Sequence, residues 1–122
     1  MNTNIKTTNI SLTDAISEYV SKRMEKIEKL VGDDTSIQCD IELARTTAHH
    51  NKGDIFKAEA HIVGAGLNIF HACEKEDLYA AIDEMRDAVL RELKSHRQKN
   101  MSSIRRGGAA VKDMMRGLWP WK

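Results

Sequence analysis

The sequence predicts an α+β domain, a two-layer sandwich in which a four-stranded sheet carries two helices on one face. Two segments of the chain have apolar residues at helical spacing, and three segments between them alternate between apolar and polar residues. A shorter alternating segment precedes the first helix. Strands that are gathered between two helices are typical of an antiparallel sheet with both helices packed on one face. The predicted element order is therefore β-α-β-β-β-α.

The first strand is the weakly alternating segment NIKTTNI, and a helix start follows it directly. Thr13 is the predicted N-cap, and Asp14 lies in the first turn, where the positive end of the helix dipole favours an acidic side chain. Gly32 ends the run of apolar residues and is the predicted end of the helix. The apolar face of this helix consists of Ile16, Tyr19, Val20, Ile27, Leu30 and Val31.

Three strands are predicted in the middle of the chain, with the sequences SIQCDIEL, IFKAEAHIV and LNIFHAC. The polar segment RTTAHHNKGD predicts a loop between the first two, and GAG predicts a hairpin turn between the last two. His61 and His71 lie on the hairpin strands, and we expect them to face one another as a surface pair rather than as an acid–base dyad. The adjacent His49 and His50 are expected in an exposed loop rather than at a metal site.

The second helix begins at Asp77, its predicted cap, and carries an apolar stripe at helical spacing: Leu78, Ile82, Met85, Val89 and Leu93. We divide the chain into an α+β domain at residues 1–98 and a basic tail at residues 99–122. The tail contains RRGG, a weak signal for binding along a nucleic-acid strand, and ends in GLWPWK with two tryptophans. These tryptophans are suited to base stacking, to a protein groove or to folding back on the domain.

Composition excludes several classes of protein. No run of the 122 residues is apolar enough for a membrane span or a signal peptide, so we expect a cytoplasmic protein without membrane contact. The two cysteines are expected to be reduced core residues. The chain has no glycine-rich phosphate loop, no GxSxG and no CxxC, so it predicts no enzyme, no cofactor, no metal and no small-molecule substrate.

Charge is distributed unevenly along the chain. Residues 1–93 contain 11 lysines and arginines and 17 acids. Residues 94–122 contain 8 lysines and arginines and a single acid, Asp113. On the second helix the acids fall in the first half and the bases in the second, which the helix dipole explains only in part. On the first helix, Lys22, Lys26 and Lys29 form one stripe. These bases indicate a polyanionic partner, and the alternative is an ordinary solvated surface.

The pattern resembles the ribosome hibernation-promoting factor family, which includes the ribosome-associated inhibitor, or protein Y, branch. Four segments carry the resemblance: ISLTDAISEYVSKRMEKIEKL at 10–30, IQCDIEL at 37–43, EDLYAAIDEMRDAV at 76–89 and RELKSH at 91–96. The resemblance implies a β-α-β-β-β-α fold related to double-stranded RNA-binding domains. It also implies a factor that binds the small subunit of the 70S ribosome in the channel for messenger and transfer RNA, and silences idle ribosomes.

The resemblance further implies that basic residues on two parallel helices contact ribosomal RNA. By position, the family's basic sites fall on Arg23 and Lys26 of the first helix and on Arg91, Lys94, His96 and Arg97 of the second. Members often have a lysine after the helix-two aspartate, whereas Ala88 follows Asp87 here, with Arg86 placed to compensate. The complete set of expected rRNA-binding residues is Lys22, Arg23, Lys26, Lys29, Arg86, Arg91, Lys94, Arg97, Lys99, Arg105 and Arg106.

Several alternatives stay open at this point. The tail is too short for the dimerising domain of the family's long forms and is basic where the inhibitor branch is acidic, so the effect on ribosome dimerisation is undetermined. A general structured-RNA-binding protein is the first alternative function. A small α+β enzyme and a protein-interaction module that docks through GLWPWK are the others.

Overall fold

The computed structural model describes the backbone of residues 1–47 and 53–106 and the side chains of residues 1–46 and 53–97. The predicted order of elements is confirmed. In sequence, the elements are β1 Asn2–Thr8, α1 Asp14–Val31, β2 Gln38–Thr47, β3 Asp54–Gly64, β4 Leu67–Lys75 and α2 Leu78–Arg106. Within this part of the chain, no helix is both long and apolar enough to cross a membrane.

The four strands form one sheet in the order β1-β2-β3-β4. β2, β3 and β4 are antiparallel neighbours, but β1 pairs in parallel with β2. The expectation of an antiparallel sheet is therefore wrong for its first pair of strands. The reason is the position of α1, because a helix that connects two neighbouring strands returns the chain to the end of the sheet at which the first strand began.

The hydrophobic core lies between the helices and one face of the sheet. Side chains alternate along each strand, so the residues of β2 and β3 that point to the helices are buried and their neighbours face solvent. The innermost residues of the sheet are Cys39, Ile41, Leu43, Ala58, Ala60 and Ile62. The helices cover them mainly with Val20, Met24, Ile27, Ile82, Met85, Val89 and Leu93.

The predicted helix ends are confirmed where they rest on capping residues. The Thr13 hydroxyl accepts a hydrogen bond from the Ile16 amide at 3.2 Å, and Gly32, with φ of 86°, donates its amide to Glu28 at 2.9 Å. Asp77 caps α2, because its carboxylate accepts the Ala80 amide at 3.3 Å. α2 continues beyond residue 98 to Arg106; the division between a domain and a tail at residue 98 stays a prediction.

The segment predicted as a loop between β2 and β3 is partly strand. Residues 45–47 continue β2 and pair with residues 54–56 of β3. The polar side chains of Arg45, Thr46 and Thr47 concealed this extension, because no apolar alternation marks it. His49 and His50 lie outside the described residues.

The hairpin between β3 and β4 is confirmed, with Gly64 and Leu67 paired around the two turn residues. Ala65 and Gly66 both have positive φ angles, 50° and 81°, as in the tight turns whose twist suits a hairpin.

Candidate nucleic-acid interface

The two helices lie side by side and run in the same direction. The Tyr19 hydroxyl of α1 donates a hydrogen bond to Asp83 of α2 at 2.6 Å, and the Tyr19 and Tyr79 rings meet edge to face at 4.7 Å. One turn further along both helices, Nη2 of Arg23 lies 3.9 Å from Asp87. Because both contacts join residues with the same separation in sequence, successive turns of α1 face successive turns of α2.

Arg23 is engaged at the boundary between the helices rather than extended into solvent. Its side chain is 31% exposed, and its Nε lies 2.8 Å from Oδ1 of Asp83. The contact is an ion pair rather than an aligned hydrogen bond, because the Nε–H is not directed at the carboxylate oxygen. The guanidinium group therefore contacts a carboxylate of the neighbouring helix. Its expected role in RNA binding stays a prediction.

The side chain of Arg86 is even less exposed than that of Arg23. Its side chain is 16% exposed, and Nη2 lies 3.3 Å from Asp87 on the next position of α2. Asp87 therefore contacts two arginines, one from each helix. This placement leaves Arg86 with little surface to offer a polyanion.

The outer surface of the helix pair carries the exposed bases. Lys22, Lys26 and Lys29 are exposed at positions i, i+4 and i+7 of α1, and Arg91 and Lys94 are exposed at positions i and i+3 of α2. Since Arg23 faces Asp87, the following turn of α1 faces the turn of α2 that contains Arg91. We call Lys26, Lys29, Arg91 and Lys94 the basic helix face.

The remaining expected residues follow on α2. Arg97 is half-buried and has an interaction partner, as has His96. Lys99, Arg105 and Arg106 lie in the last turns of α2, and their side chains lie outside the described residues. The structure thus exposes five of the expected residues on the outer surface of the helix pair, namely Lys22 and the four of the basic helix face, and it places Arg23 and Arg86 beside acids.

Sequence reasoning missed the part that Asp83 and Asp87 take in this surface. These acids meet Arg23 and Arg86 and neutralise the first half of the helix pair. In the second half of α2, the acid Glu92 points away from α1 and contacts His71 of β4 at 2.7 Å. Asp83 and Asp87 share one face of α2, but nothing in the sequence of either helix indicates that this face meets Arg23 of α1.

The two strand histidines do not form a pair. In the hairpin register His61 lies opposite Phe70, and His71 lies opposite Ala60. The two rings therefore project from opposite faces of the sheet, so the expectation that they face one another is wrong. On the face away from the helices, His61 Nε2 lies 2.9 Å from Asn68 Oδ1.

Titratable groups with shifted pKa values lie mainly in structural contacts. The pKa of Tyr19 is raised, first because its hydroxyl donates to Asp83 and second because it is partly desolvated. Burial raises the pKa of the Cys39 thiol to about 12. A hydrogen bond to Glu59 raises the pKa of Lys57. Among the described residues, no three histidines, cysteines or acids are grouped so that they could hold a metal ion.

Comparison with known proteins identifies a family. Residues 3–101 match the model of the family described as Sigma 54 modulation protein / S30EA ribosomal protein. A ribosome hibernation promoting factor from Pseudomonas putida is 28% identical over 112 residues, which are 92% of this chain and 100% of that protein. A ribosome hibernation promotion factor from Picosynechococcus is 32% identical over 101 residues, which are 79% of this chain and 49% of that protein.

A solved structure has the same fold. The N-terminal domain of Protein Y from Thermus thermophilus superposes with a TM-score of 0.63 at 27% identity, covering 79% of this chain and 99% of that one. The resemblance that the helix and strand motifs carried is confirmed. The chain belongs to the Sigma 54 modulation protein / S30EA ribosomal protein family.

Proposed function

We propose that this protein is a ribosome hibernation factor that binds the small ribosomal subunit and silences idle ribosomes. The names of its relatives support a role in hibernation. The observation that carries the proposed mode of binding is the basic helix face, because its four cations are exposed on one surface. The binding place that we propose is the channel for messenger and transfer RNA.

The basic helix face suits a folded RNA. Packed helices lie about 8–10 Å apart, so the bases of α1 and α2 form two rows at that separation. Two such rows can contact phosphates on both sides of an RNA groove and release counterions from each. Lysines on a rigid surface read the position of phosphates and not the identity of bases, so specificity arises from the shape of the RNA.

The proposed activity is binding and exclusion rather than catalysis. A factor seated in the channel would exclude messenger and transfer RNA through its volume, and such a mechanism needs no cofactor, metal or small-molecule substrate. The proposed location is the cytoplasm, where ribosomes work, and the proposed partners are the small subunit and the 70S ribosome.

The test is co-sedimentation of the protein with 70S ribosomes and with small subunits at increasing salt. The test variant is Lys26→Glu/Lys94→Glu on the basic helix face. The matched control is Lys6→Glu/Lys75→Glu, which makes the same change in net charge on strands β1 and β4. We expect the wild type and the control to sediment with the small subunit, and the test variant to stay at the top of the gradient.

Two results would contradict the proposal. Equal loss of binding in both variants would show a non-specific attraction between charges, and absence of the wild type from ribosome fractions at every salt would exclude the ribosome as a partner. The general structured-RNA-binding alternative predicts comparable affinity for any RNA duplex. Competition with a duplex of unrelated sequence therefore separates the two functions, because a hibernation factor stays on the ribosome.

A further inference from the structure

The face of the sheet opposite the helices carries an exposed apolar patch. Phe70 of β4 is 52% exposed and Val63 of β3 is 43% exposed. The His61 ring contacts Phe70 edge to face at a centroid distance of 5.8 Å. Backbone pairing between β3 and β4 holds these side chains in place. We call Val63, Phe70 and His61 the hairpin patch.

The charges around the hairpin patch are mainly negative. By strand alternation, the same face of the sheet presents four acids, Asp40, Glu42, Glu59 and Glu74, and two lysines, Lys6 and Lys57. Lys57 is engaged with Glu59 at 3.2 Å and with Glu42 at 4.0 Å. A surface of this kind repels phosphates and suits an apolar segment that carries positive charge.

The course of α2 brings the rest of the chain to the same end of the sheet. Lys75 at the end of β4 pairs with Glu84 near the start of α2, and His71 pairs with Glu92 two turns later. α2 therefore runs antiparallel to β4, toward the hairpin turn at residues 64–66. Its last residue, Arg106, lies at the end of the sheet that contains the hairpin patch.

We propose that residues 117–122, GLWPWK, bind the hairpin patch of the same chain. Residues 107–116 connect α2 to this segment, and ten residues span about 30 Å when extended, several times the separation of about 10 Å between packed layers. Trp119 and Trp121 supply large apolar rings for Phe70 and Val63. Residues 107–122 contain Lys112, Arg116 and Lys122 and a single acid, so their charge complements the acidic sheet face.

Because the segment and the hairpin patch belong to one chain, even a weak contact between them can be occupied for much of the time. A short flexible linker gives its two ends an effective concentration of about 1 mM, so a contact with a Kd of about 1 mM is occupied half of the time. The hairpin patch and the basic helix face lie on opposite sides of the molecule, so the proposed contact and the proposed ribosome binding use different surfaces.

The two tryptophans of the chain report on this contact directly, because both are in the proposed segment. The measurement is quenching of tryptophan fluorescence by acrylamide in the full chain and in a free peptide of residues 107–122. If the contact is occupied at least half of the time, the quenching constant of the full chain is about twofold below that of the peptide. Phe70→Ser should raise it to the value of the peptide.

The control is Leu12→Ser. The exposed fraction of Leu12, 42%, is similar to the 43% of Val63, but Leu12 lies at the end of the sheet away from the hairpin patch. It should leave the quenching constant of the wild type unchanged, and circular dichroism checks that both variants are folded. A wild type quenched as readily as the peptide would overturn the proposal, and so would a Phe70→Ser variant quenched like the wild type. The same measurement is repeated after the protein is diluted about 100-fold. A quenching constant that rises on this dilution would assign the contact to a second copy of the chain and would also overturn the proposal.

Discussion

Nε of Arg23 on α1 lies 2.8 Å from the Asp83 carboxylate on α2, and the same carboxylate oxygen accepts the Tyr19 hydroxyl at 2.6 Å. One acid of α2 thus ties two successive turns of α1 to the second helix. It also neutralises a cation on the surface that we propose for RNA binding. The contact therefore affects both the stability of the helix pair and the distribution of charge on that surface.

Asp83→Asn should lower the free energy of unfolding by about 1 kcal/mol, measured by urea denaturation. The side chains of Arg23 and Asp83 are 31% and 39% exposed, so solvent screens much of their ion pair. Most of the loss should come from the weaker hydrogen bond of Tyr19, since an amide oxygen replaces a charged acceptor.

The control for this substitution is Glu84→Gln, one position along α2. Glu84 pairs with Lys75 at 3.2 Å, and the two side chains are 51% and 46% exposed. Removal of a pair this exposed should cost less than about 0.5 kcal/mol. Equal losses for the two substitutions would contradict the structural importance of Asp83 as the acceptor of the Tyr19 hydroxyl.

Lys26→Gln should reduce the salt dependence of ribosome binding. Each phosphate contact contributes about 0.7–0.9 to the slope of log K against log salt concentration, so loss of one contact lowers the slope by about that amount. The measurement is a binding isotherm at several salt concentrations. Lys6→Gln, which alters a lysine on β1, should leave the slope unchanged, and an equal effect of the two substitutions would contradict the proposed interface.

Arg23→Gln should change this slope less than Lys26→Gln does. The arginine is held by Asp83 and Asp87, whereas Lys26 is exposed. A phosphate would therefore have to compete with two carboxylates for Arg23. A larger effect of Arg23→Gln than of Lys26→Gln on the slope would indicate that Arg23 leaves the acids when the protein binds RNA.

Gly64→Ala should destabilise the fold by about 3 kcal/mol. Gly64 has φ of 130°, and an added Cβ would lie 2.7 Å from the carbonyl oxygen of Ser36 and 2.9 Å from Cα of Ile37. Both neighbours are backbone atoms, which a side-chain rotation cannot move. The measurement is again the free energy of unfolding in urea.

Gly66→Ala provides the comparison for Gly64→Ala in the same turn. Gly66 has φ of 81°, but nothing lies within 4 Å of an added Cβ. Its substitution should cost only the strain of a left-handed conformation, about 1–2 kcal/mol. If the two substitutions lower the free energy of unfolding equally, backbone strain alone would account for the loss, and not the close approach of Gly64 to Ser36 and Ile37.

The two thiols should react with a disulfide reagent at different rates. Cys39 is buried with its pKa raised to about 12, so only about one thiol in 10,000 is ionised at pH 8. Cys73 is half-buried, and its pKa is raised first by burial and second by Glu84. Cys73 should therefore be labelled first, with Cys39 labelled only on unfolding, as mass spectrometry would show. Equal rates would contradict this assignment.

The raised pKa of Cys39 also has a consequence at high pH. The unfolded thiol loses its proton near pH 9.0, whereas the folded thiol keeps its proton up to about pH 12. The contribution of Cys39 to the free energy of unfolding is thus fully present below pH 9.0 and is lost as the pH rises through that interval. Cys39→Ala should make the decline of stability with pH less steep over the same range.

The sequence by itself determined the helices, the strands and their order. Those elements depend on local features, such as the hydroxyl of Thr13 that caps α1 and the apolar stripe from Leu78 to Leu93. It also determined the family, because the motifs that carry the resemblance are continuous in the chain. The segment at residues 45–47 was predicted wrongly as a loop. Its residues are polar and do not alternate, and they are in a strand because they pair with residues 54–56 of β3.

Only the tertiary structure decided which residues meet. The parallel pairing of β1 with β2 follows from the path of α1 over the sheet, and the placement of His61 and His71 on opposite faces follows from the hairpin register. The contact between Arg23 and Asp83 joins side chains from separate helices, so periodicity within either helix carried no information about it. Local patterns specify the direction in which a side chain leaves its own element, and packing between elements specifies the partner that it finds there.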